Sequence, residues 1–174
     1  MLACVCLNPS FDRTVSLRSF TVGDMNRVLS ARQDVGGKGI NVAITARRLG
    51  IASCVLGCAG KNGIDAVRRK LDGEQVTHVF LPVDGDVRTN MKIVPQDGTA
   101  VTELNEPGAP VNAANQRAFS DLLAEKTVAG QYVVLTGSLP PECLPESAKS
   151  RHRPSGTGCA PGSEAPPCSS CSPD

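Results

Sequence analysis

Three glycines surround a lysine in the segment DVGGKGINVAITARRLG, residues 34–50. Apolar residues at helical spacing follow directly, so we expect the glycine turn to begin a helix. The backbone N–H groups of such a turn can approach a ligand closely, and the helix N-terminus adds partial positive charge. Lys38 adds a full charge, and Asn41 offers an amide in the first turn. The segment therefore suits a polyhydroxyl compound that carries one phosphate, although a glycine turn at a helix start is more often purely structural.

The glycines fit neither of the common nucleotide-binding motifs. A Walker loop needs Ser or Thr after its lysine, whereas Gly39 follows Lys38. A dinucleotide fingerprint G-x-G-x-x-G could use Gly37 and Gly39, but Val42 stands in its third glycine position. Whether the turn binds a ligand therefore depends on residues elsewhere in the chain.

Four further residues that could bind a ligand lie at the ends or on the polar faces of predicted strands. Asp12 follows the first apolar run in a turn led by proline, and Ser138 follows the last apolar run. Ligands of open α/β sheets gather at such carboxyl ends. Arg27 and Arg88 lie in segments that alternate polar and apolar residues. Each also has a structural alternative: a turn cap for Asp12, an exit loop for Ser138 and a solvated strand face for the arginines.

Two kinds of apolar pattern predict the elements that must position these residues. Continuous apolar runs predict buried strands at residues 2–8, 52–58 and 131–137. Helical spacing predicts helices after the glycine turn, at residues 64–71 and at residues 112–126. In the first of these helices, the residues predicted to face inward are Ile40, Ala43, Ile44 and Leu49, with Gly50 as the stop signal.

A third pattern, alternation of polar and apolar residues, predicts strands with one solvated face at residues 13–20 and 27–35. Residues 87–94 also read as a strand, and a turn signal separates them from residues 100–105. Buried strands that alternate with helices indicate an α/β fold with a mostly parallel sheet flanked by helices. We expect the alternating strands to form a separate small sheet.

The overall composition limits the classes of function. Lys and Arg total 18 against 17 Asp and Glu, so no chain-wide field favours nucleic acid or acidic membranes. No run approaches the roughly 18 apolar residues of a membrane span, and the apolar start is too short for a signal peptide. We expect a cytoplasmic protein with no nucleic-acid or membrane partner.

Eight cysteines raise the question of zinc or disulfides. Cys4, Cys6, Cys54 and Cys58 lie in or beside apolar strand patterns, and we expect them to be small buried hydrophobic residues. The single C-x-x-C pair, residues 168–171, has no second pair at zinc spacing. We therefore predict no metal site.

The pattern of strands and helices stops after about residue 142. Residues 142–174 contain no Val, Ile, Met, Phe, Tyr or Trp and are rich in Pro, Ser, Gly and Cys. Such a segment cannot bury enough apolar surface to offset its ordering entropy. We predict a disordered tail, and its composition fits translation of a GC-rich message in a shifted reading frame.

Six motifs resemble one known family in their order and spacing. They are LNPSFDRT, GDMNRV, DVGGKGINVA, VRTN, DGTAVTELNEPG and LTGSLPP. Together they are similar to the N-terminal half of the PfkB-type carbohydrate kinases, which have the ribokinase-like fold. GGKG-x-N and LNEPG most resemble the branch of 1-phosphofructokinase and tagatose-6-phosphate kinase. The resemblance covers residues 2–141, and we assign residues 1–141 to the N-terminal half of such a kinase domain.

The resemblance implies the phosphorylation of a sugar phosphate with MgATP as the donor. The implied reaction converts fructose 1-phosphate into fructose 1,6-bisphosphate, with tagatose 6-phosphate as the alternative substrate. The implied fold has a mostly parallel sheet flanked by helices and a small β lid sheet, with lid strands at about residues 13–35 and 87–105. Such lids often join two subunits, so the resemblance also implies a homodimer through the lid strands.

The family's substrate contacts carry over to matching positions of this sequence. Asp12 would bind sugar hydroxyls, and Gly37 and Asn41 would hold the sugar through the backbone and the amide. Asn105 and Ser138 would line the same pocket.

Three basic residues, Lys38, Arg27 and Arg88, would by the same resemblance neutralise the phosphate already on the substrate.

One family motif has no counterpart in this chain. The second half of the family carries G-A-G-D, whose aspartate is the general base, and most of the ATP pocket. We find no G-A-G-D after Ser138, so we predict a truncated chain with no catalytic residue, a largely missing ATP site and no activity by itself. Phosphoryl transfer depends mostly on positioning and electrostatic stabilisation, which half the apparatus would not provide. The alternatives are a non-catalytic sugar-phosphate-binding fragment and an unstable truncated product.

Overall fold

The computed structural model describes residues 1–143 of the 174-residue chain. Our prediction of a disordered, frame-shifted tail lies almost wholly outside the described residues. The elements in chain order are β1 (Leu2–Cys6), β2 (Ser10–Leu17), β3 (Val28–Gly36), α1 (Lys38–Arg48), β4 (Ser53–Asn62), α2 (Ile64–Gly73), β5 (Thr77–Asp86), β6 (Arg88–Pro95), β7 (Thr102–Asn105), α3 (Ala113–Lys126) and β8 (Val133–Leu135).

Residues 1–143 form two four-stranded sheets, of which the first, the core sheet, has the strand order β5-β4-β1-β8 with every pair parallel. Its central strands β1 and β4 are buried along almost their whole apolar runs. This is the burial expected of parallel strands covered on both faces. Helices α1 and α2 pack on one face, and α3 packs on the other. The predicted mostly parallel sheet flanked by helices is confirmed.

Alternating side chains of the central strands supply two separate hydrophobic cores. Cys4 and Val55 face α1 and α2, where Ile40 and Leu71 pack against them. On the opposite face, Leu56 packs with Phe119 of α3 and its neighbours. Full burial of an aliphatic or aromatic side chain contributes about 1.5–3 kcal/mol, so these two layers account for most of the stability of the core sheet.

The four cysteines expected inside, Cys4, Cys6, Cys54 and Cys58, are all buried free thiols, which confirms that prediction.

The second sheet, the small sheet, has the order β3-β2-β6-β7. β2 pairs antiparallel with β3 and parallel with β6, and β6 pairs antiparallel with β7. The chain passes from the core sheet to the small sheet twice, through residues 7–9 from β1 to β2 and through Val87 from β5 to β6. It returns to the core sheet twice, through α1 from β3 to β4 and through α3 from β7 to β8. One face carries polar side chains, whereas Val15, Leu17 and Ile93 are buried on the other. The predicted small sheet is confirmed, and it is mixed.

Three positions differ from the local prediction. Asp12 lies inside β2, because pairing with β3 begins already at Ser10, so it does not lie in a turn. Arg27 precedes β3. Leu49 is 73% exposed, because α1 ends at Arg48 and Leu49 is its cap, beyond the last turn that faces the core.

Candidate functional site

The glycine turn joins β3 to α1 where both approach the core sheet. Gly37 is the residue before the helix and has φ 132°, a conformation that favours glycine. A Cβ atom on Gly36 would collide with the carboxylate of Asp12, and one on Gly39 would collide with the carbonyl of Val5. These glycines therefore let α1 begin in direct contact with β1 and bring its N-terminus beside Asp12.

The N-terminus of α1 has no side-chain cap and no acidic residue in its first turn. Burial raises the pKa of the Cys6 thiol to about 11. Hydrogen bonds from the backbone N–H groups of Ile40, Asn8 and Gly39 oppose this rise, so part of the helix dipole acts on Cys6. Lys38 is exposed at the same end. A Cβ on Gly137 would lie 3.7 Å from the Cβ of Lys38, so the loop after β8 runs beside this lysine. The exposed positive charge at this corner comes from Lys38.

A row of polar residues crosses the small sheet next to the glycine turn. In register, Asp34 of β3 pairs with Asp12 of β2, Asp12 pairs with Asn90 of β6, and Asn90 pairs with Asn105 of β7. Asp12 Oδ1 accepts hydrogen bonds from Ser10 Oγ at 2.9 Å and from Asn90 Nδ2 at 3.0 Å. The row presents carboxylate and amide groups side by side, which is what hydroxyl recognition requires.

The polar row lines an open cavity of about 220 Å³. Its walls include Asp12, Asn90 and Asn105 together with the ion pair of Lys92 Nζ and Glu103 Oε1 at 3.1 Å. The carboxylate of Asp12 and the amide of Asn105, both predicted from the sequence, thus border one concave surface.

Arg88 pairs with Ser10, one row nearer to the core sheet than Asp12. Its Nη1 donates to the carbonyl oxygen of Glu106 at 3.2 Å. Its Nε is buried and has no hydrogen-bond partner within residues 1–143. A buried guanidinium donor without an acceptor is costly, so this position favours an anionic ligand group that would complete it.

Asn8 is a residue that sequence reasoning missed. It is 7% exposed, and its Nδ2 donates to the carbonyl oxygen of Pro107 at 3.0 Å and to Ser138 Oγ at 3.4 Å. Gly108, at φ 95°, leaves room for it, because a Cβ there would collide with Asn8 Oδ1. Asn8 thereby joins the end of β1 to the loops after β7 and β8. The available signal was a polar residue directly after a buried strand.

The predicted site residues divide into two groups in the structure. The group that it brings together comprises Asp12, Gly37, Lys38, Arg88, Asn105 and Ser138. Asn41 is exposed on α1 and borders a shallow pocket with Thr45 and Leu49. Arg27 lies seven residues from Asp34, which is roughly 20 Å along a strand that rises about 3.3 Å per residue. Within a single copy of the chain, Arg27 therefore lies too far away to form one cluster of positive charge with Lys38 and Arg88.

No three or more His, Cys, Asp or Glu side chains come close enough to hold a metal ion in the described part of the chain. Within residues 1–143, no helix is both long and apolar enough to cross a membrane.

Comparison with known sequences now decides the family. Residues 6–150 match the sequence model of the pfkB family carbohydrate kinases. The chain belongs to the pfkB family. The resemblance predicted from the six motifs is thus confirmed for this pfkB-family chain.

Two bacterial enzymes show how much of its relatives the pfkB-family chain spans. It is 37% identical over 144 residues to the 1-phosphofructokinase of Xanthomonas campestris pv. campestris, which covers 83% of the chain and 45% of the relative. It is 36% identical over 140 residues to that of Bacillus subtilis, covering 80% of the chain and 45% of the relative. The chain spans about half the length of these curated relatives.

Solved structures show the same fold. A Staphylococcus aureus protein provisionally classed as a phosphofructokinase superposes with a TM-score of 0.73 at 28% identity, over 85% of this chain and 47% of that one. Escherichia coli phosphofructokinase-2, crystallised with fructose 6-phosphate, gives a TM-score of 0.74 at 24% identity, over 83% and 47%. The ribokinase-like architecture of this pfkB-family chain is therefore established.

Proposed function

We propose that this chain provides the sugar-phosphate-binding half of a 1-phosphofructokinase, whose reaction phosphorylates fructose 1-phosphate to fructose 1,6-bisphosphate with MgATP. Family membership and relatives named 1-phosphofructokinase support the class of reaction. The observation that carries the proposal is the polar row at Asp12 beside the buried Nε of Arg88, which has no hydrogen-bond partner in the described part of the chain. Together they offer acceptors and donors for sugar hydroxyls next to a donor for phosphate.

In this proposal the residues have distinct tasks. Asp12 accepts hydrogen bonds from two sugar hydroxyls. Ser10 and Asn90 both donate to its Oδ1, so the carboxylate keeps further acceptor sites for the sugar. Asn105 orients the sugar from the neighbouring strand. Arg88 and Lys38 bind the phosphate of the substrate, and the open backbone of Gly37 lets the ligand approach α1.

The proposal assigns no general base to this chain. The described residues bind and orient the sugar phosphate, while proton removal and MgATP binding fall to groups that residues 1–143 do not provide. We therefore expect the chain by itself to bind its substrate without turnover. A sugar-phosphate-binding fragment without catalysis is the second candidate function, and the same observation favours it.

Calorimetry with the full chain tests the proposal. Fructose 1-phosphate should bind saturably and more tightly than tagatose 6-phosphate or inorganic phosphate. Asp12→Ala should weaken binding at least tenfold, since hydrogen bonds to a charged group contribute about 1.5–3 kcal/mol. The control Asp121→Ala, an exposed residue on α3, should bind like the parent chain. Absence of heat at millimolar fructose 1-phosphate would overturn the proposal.

A coupled assay of ADP release with the same sample tests the expectation of inactivity. Rates at the background level are expected. Turnover that depends on fructose 1-phosphate would show that the chain contains a complete catalytic apparatus.

We also propose that two copies associate through the small sheet. Its apolar face carries Leu104, which is 55% exposed, beside the buried cluster of Val15, Leu17 and Ile93. Escherichia coli phosphofructokinase-2, which has the same fold, forms a tetramer in its inhibited state. An apolar sheet face that continues a buried cluster is the kind of surface that dimers cover.

A further inference from the structure

A buried hydroxyl lies directly behind the polar row. Ser10 is 2% exposed, and its Oγ lies 2.9 Å from Asp12 Oδ1. An ionised carboxylate only accepts hydrogen bonds, so the serine hydroxyl is the donor. Ser53, another buried serine, donates instead to the backbone carbonyl oxygen of Ala43 at 2.8 Å. The hydroxyl of Ser10 is thus directed at a residue of the candidate site and not at the backbone of the core.

The register of the small sheet places Ser10 at the centre of the site. Ser10 pairs with Gly36 of β3 on one side and with Arg88 of β6 on the other. Asp12 follows two residues later on β2, so strand alternation puts both side chains on one face. Because Ser10 is covered, it can influence a ligand only through a neighbouring side chain, and Asp12 is the neighbour that it contacts.

Three contacts define the orientation of the Asp12 carboxylate. Its Oδ1 accepts one hydrogen bond from Ser10 Oγ on its own strand and one from Asn90 Nδ2 on β6. Its Oδ2 lies over Gly36, where a Cβ atom would collide with it. The two donors come from different directions, so they fix the plane of the carboxylate as well as its position.

A neighbouring carboxylate makes this restraint necessary. Asp34 pairs directly with Asp12 across β3 and β2, and like charges opposite each other repel. Asp34 Oδ2 lies 2.8 Å from Arg32 Nε, but this ion pair is exposed to solvent and offsets the repulsion only in part. Asp12 is itself exposed. Without the bond from Ser10, repulsion and solvent would favour other side-chain rotamers of Asp12.

We propose that Ser10 is a positioning residue, whose hydroxyl holds the Asp12 carboxylate in the orientation that accepts hydrogen bonds from sugar hydroxyls. This inference rests on the proposed function, in which Asp12 binds the sugar. A carboxylate that already occupies one rotamer loses less conformational entropy when the ligand arrives. Ser10 therefore acts on sugar recognition without contacting the sugar.

Two serine variants on one strand give a matched comparison. Ser10→Ala removes the hydroxyl and keeps the Cβ atom, so strand pairing is retained. Ser16→Ala is the control, because Ser16 lies on the same strand and face and its Oγ accepts a hydrogen bond from Gln96 Nε2 at 3.2 Å. Both variants lose one hydrogen-bonded hydroxyl of β2, but only Ser10→Ala loses a bond to Asp12.

Nuclear magnetic resonance of the full chain without ligand tests the orientation directly. The three-bond couplings between the α and β protons of Asp12 report its χ1 angle. The parent chain and Ser16→Ala should show the couplings of one rotamer. Ser10→Ala should show couplings averaged over several rotamers, because the carboxylate then keeps only the bond from Asn90.

Calorimetry tests the effect on the ligand. Ser10→Ala should weaken fructose 1-phosphate binding about fivefold, the cost of ordering one side chain on binding, and should leave the affinity for inorganic phosphate within about twofold. In the Asp12→Ala background, adding Ser10→Ala should change neither affinity. A merely structural role of Ser10 would lower the affinity for both ligands and in both backgrounds.

Two results would overturn the proposal. One is a single Asp12 rotamer in Ser10→Ala, and the other is the same loss of fructose 1-phosphate affinity with and without Asp12. If the parent chain binds no fructose 1-phosphate, the proposed function fails, whereas the couplings of the free chain still decide whether Ser10 positions Asp12.

Discussion

At the scale of single residues, Arg88 links the geometry of the site to its proposed ligand. Its Nη1 donates to the carbonyl oxygen of Glu106, while its Nε is buried and finds no acceptor among residues 1–143. Strand β6 fixes its position, and Gly108 leaves room for it, because a Cβ there would come within 3.3 Å of Arg88 Cδ. The guanidinium is therefore already placed before a ligand arrives, which reduces the entropy that binding must overcome.

Arg88→Lys should weaken fructose 1-phosphate binding about tenfold, because lysine keeps the charge but lacks the planar fork that holds phosphate with two hydrogen bonds. Calorimetry measures the change. Arg117→Lys on α3 is the control and should bind like the parent chain. Equal affinity of Arg88→Lys and the parent chain would remove Arg88 from the phosphate site.

At the scale of elements, the glycine turn shows that packing and ligand approach require the same residues. Gly36 and Gly39 are fixed by contacts with Asp12 and Val5, so their presence alone does not prove a binding role. The same contacts bring the start of α1 against β1 and β2, which places Lys38 near the polar row. Structural and functional interpretations of this segment are therefore compatible.

Gly39→Ala should lower the free energy of unfolding by about 2 kcal/mol or more, since its Cβ meets the backbone of Val5 and neither strand nor helix can move freely. Gly73→Ala at the end of α2 has open space and should be neutral or stabilising by about 0.5–1 kcal/mol. Urea denaturation measures both. Equal stability of the two variants would contradict the close contact at Gly39.

At the scale of the whole molecule, the small sheet is the surface through which we expect two copies to associate. Leu104→Lys should lower the affinity of self-association at least tenfold, because it places a charge on the apolar face. Light scattering over a range of concentrations measures this, with Leu49→Lys as the control. A parent chain that remains monomeric at every concentration would contradict the homodimer.

The buried thiols make the stability of the whole molecule depend on pH. Burial raises the pKa of Cys4 to about 11 and that of Cys58 to about 12, from an ordinary value of 9.0. The folded chain keeps these protons while the unfolded chain releases them above pH 9. The stability that they contribute is complete below pH 9 and is lost as the pH rises toward 11–12.

Each such thiol should cost roughly 1 kcal/mol of unfolding free energy by pH 10. Denaturation at pH 8 and pH 10 measures the loss. Cys58→Ala should lose less between these two pH values than the parent chain does, which separates the thiol from lysine and tyrosine titration. An identical pH dependence of the two proteins would show that Cys58 ionises normally.

The sequence by itself determined the local structure and the family. Apolar runs, helical spacing and glycine signals identified the strands, the helices and the buried cysteines, because these patterns record how deeply each residue is buried. Six ordered motifs identified the pfkB family. Local patterns could not determine which strands pair.

Only the tertiary structure decided the arrangement of the site. The register of the small sheet aligned Asp12 with Asn90 and Asn105. The loops after β7 and β8 come back to the end of β1, where Asn8 donates hydrogen bonds to Pro107 and Ser138. The same register placed Arg27 just beyond the far end of the small sheet. Pairing between strands far apart in sequence depends on long-range contacts, and a shift of one residue would turn every side chain of the row to the other face.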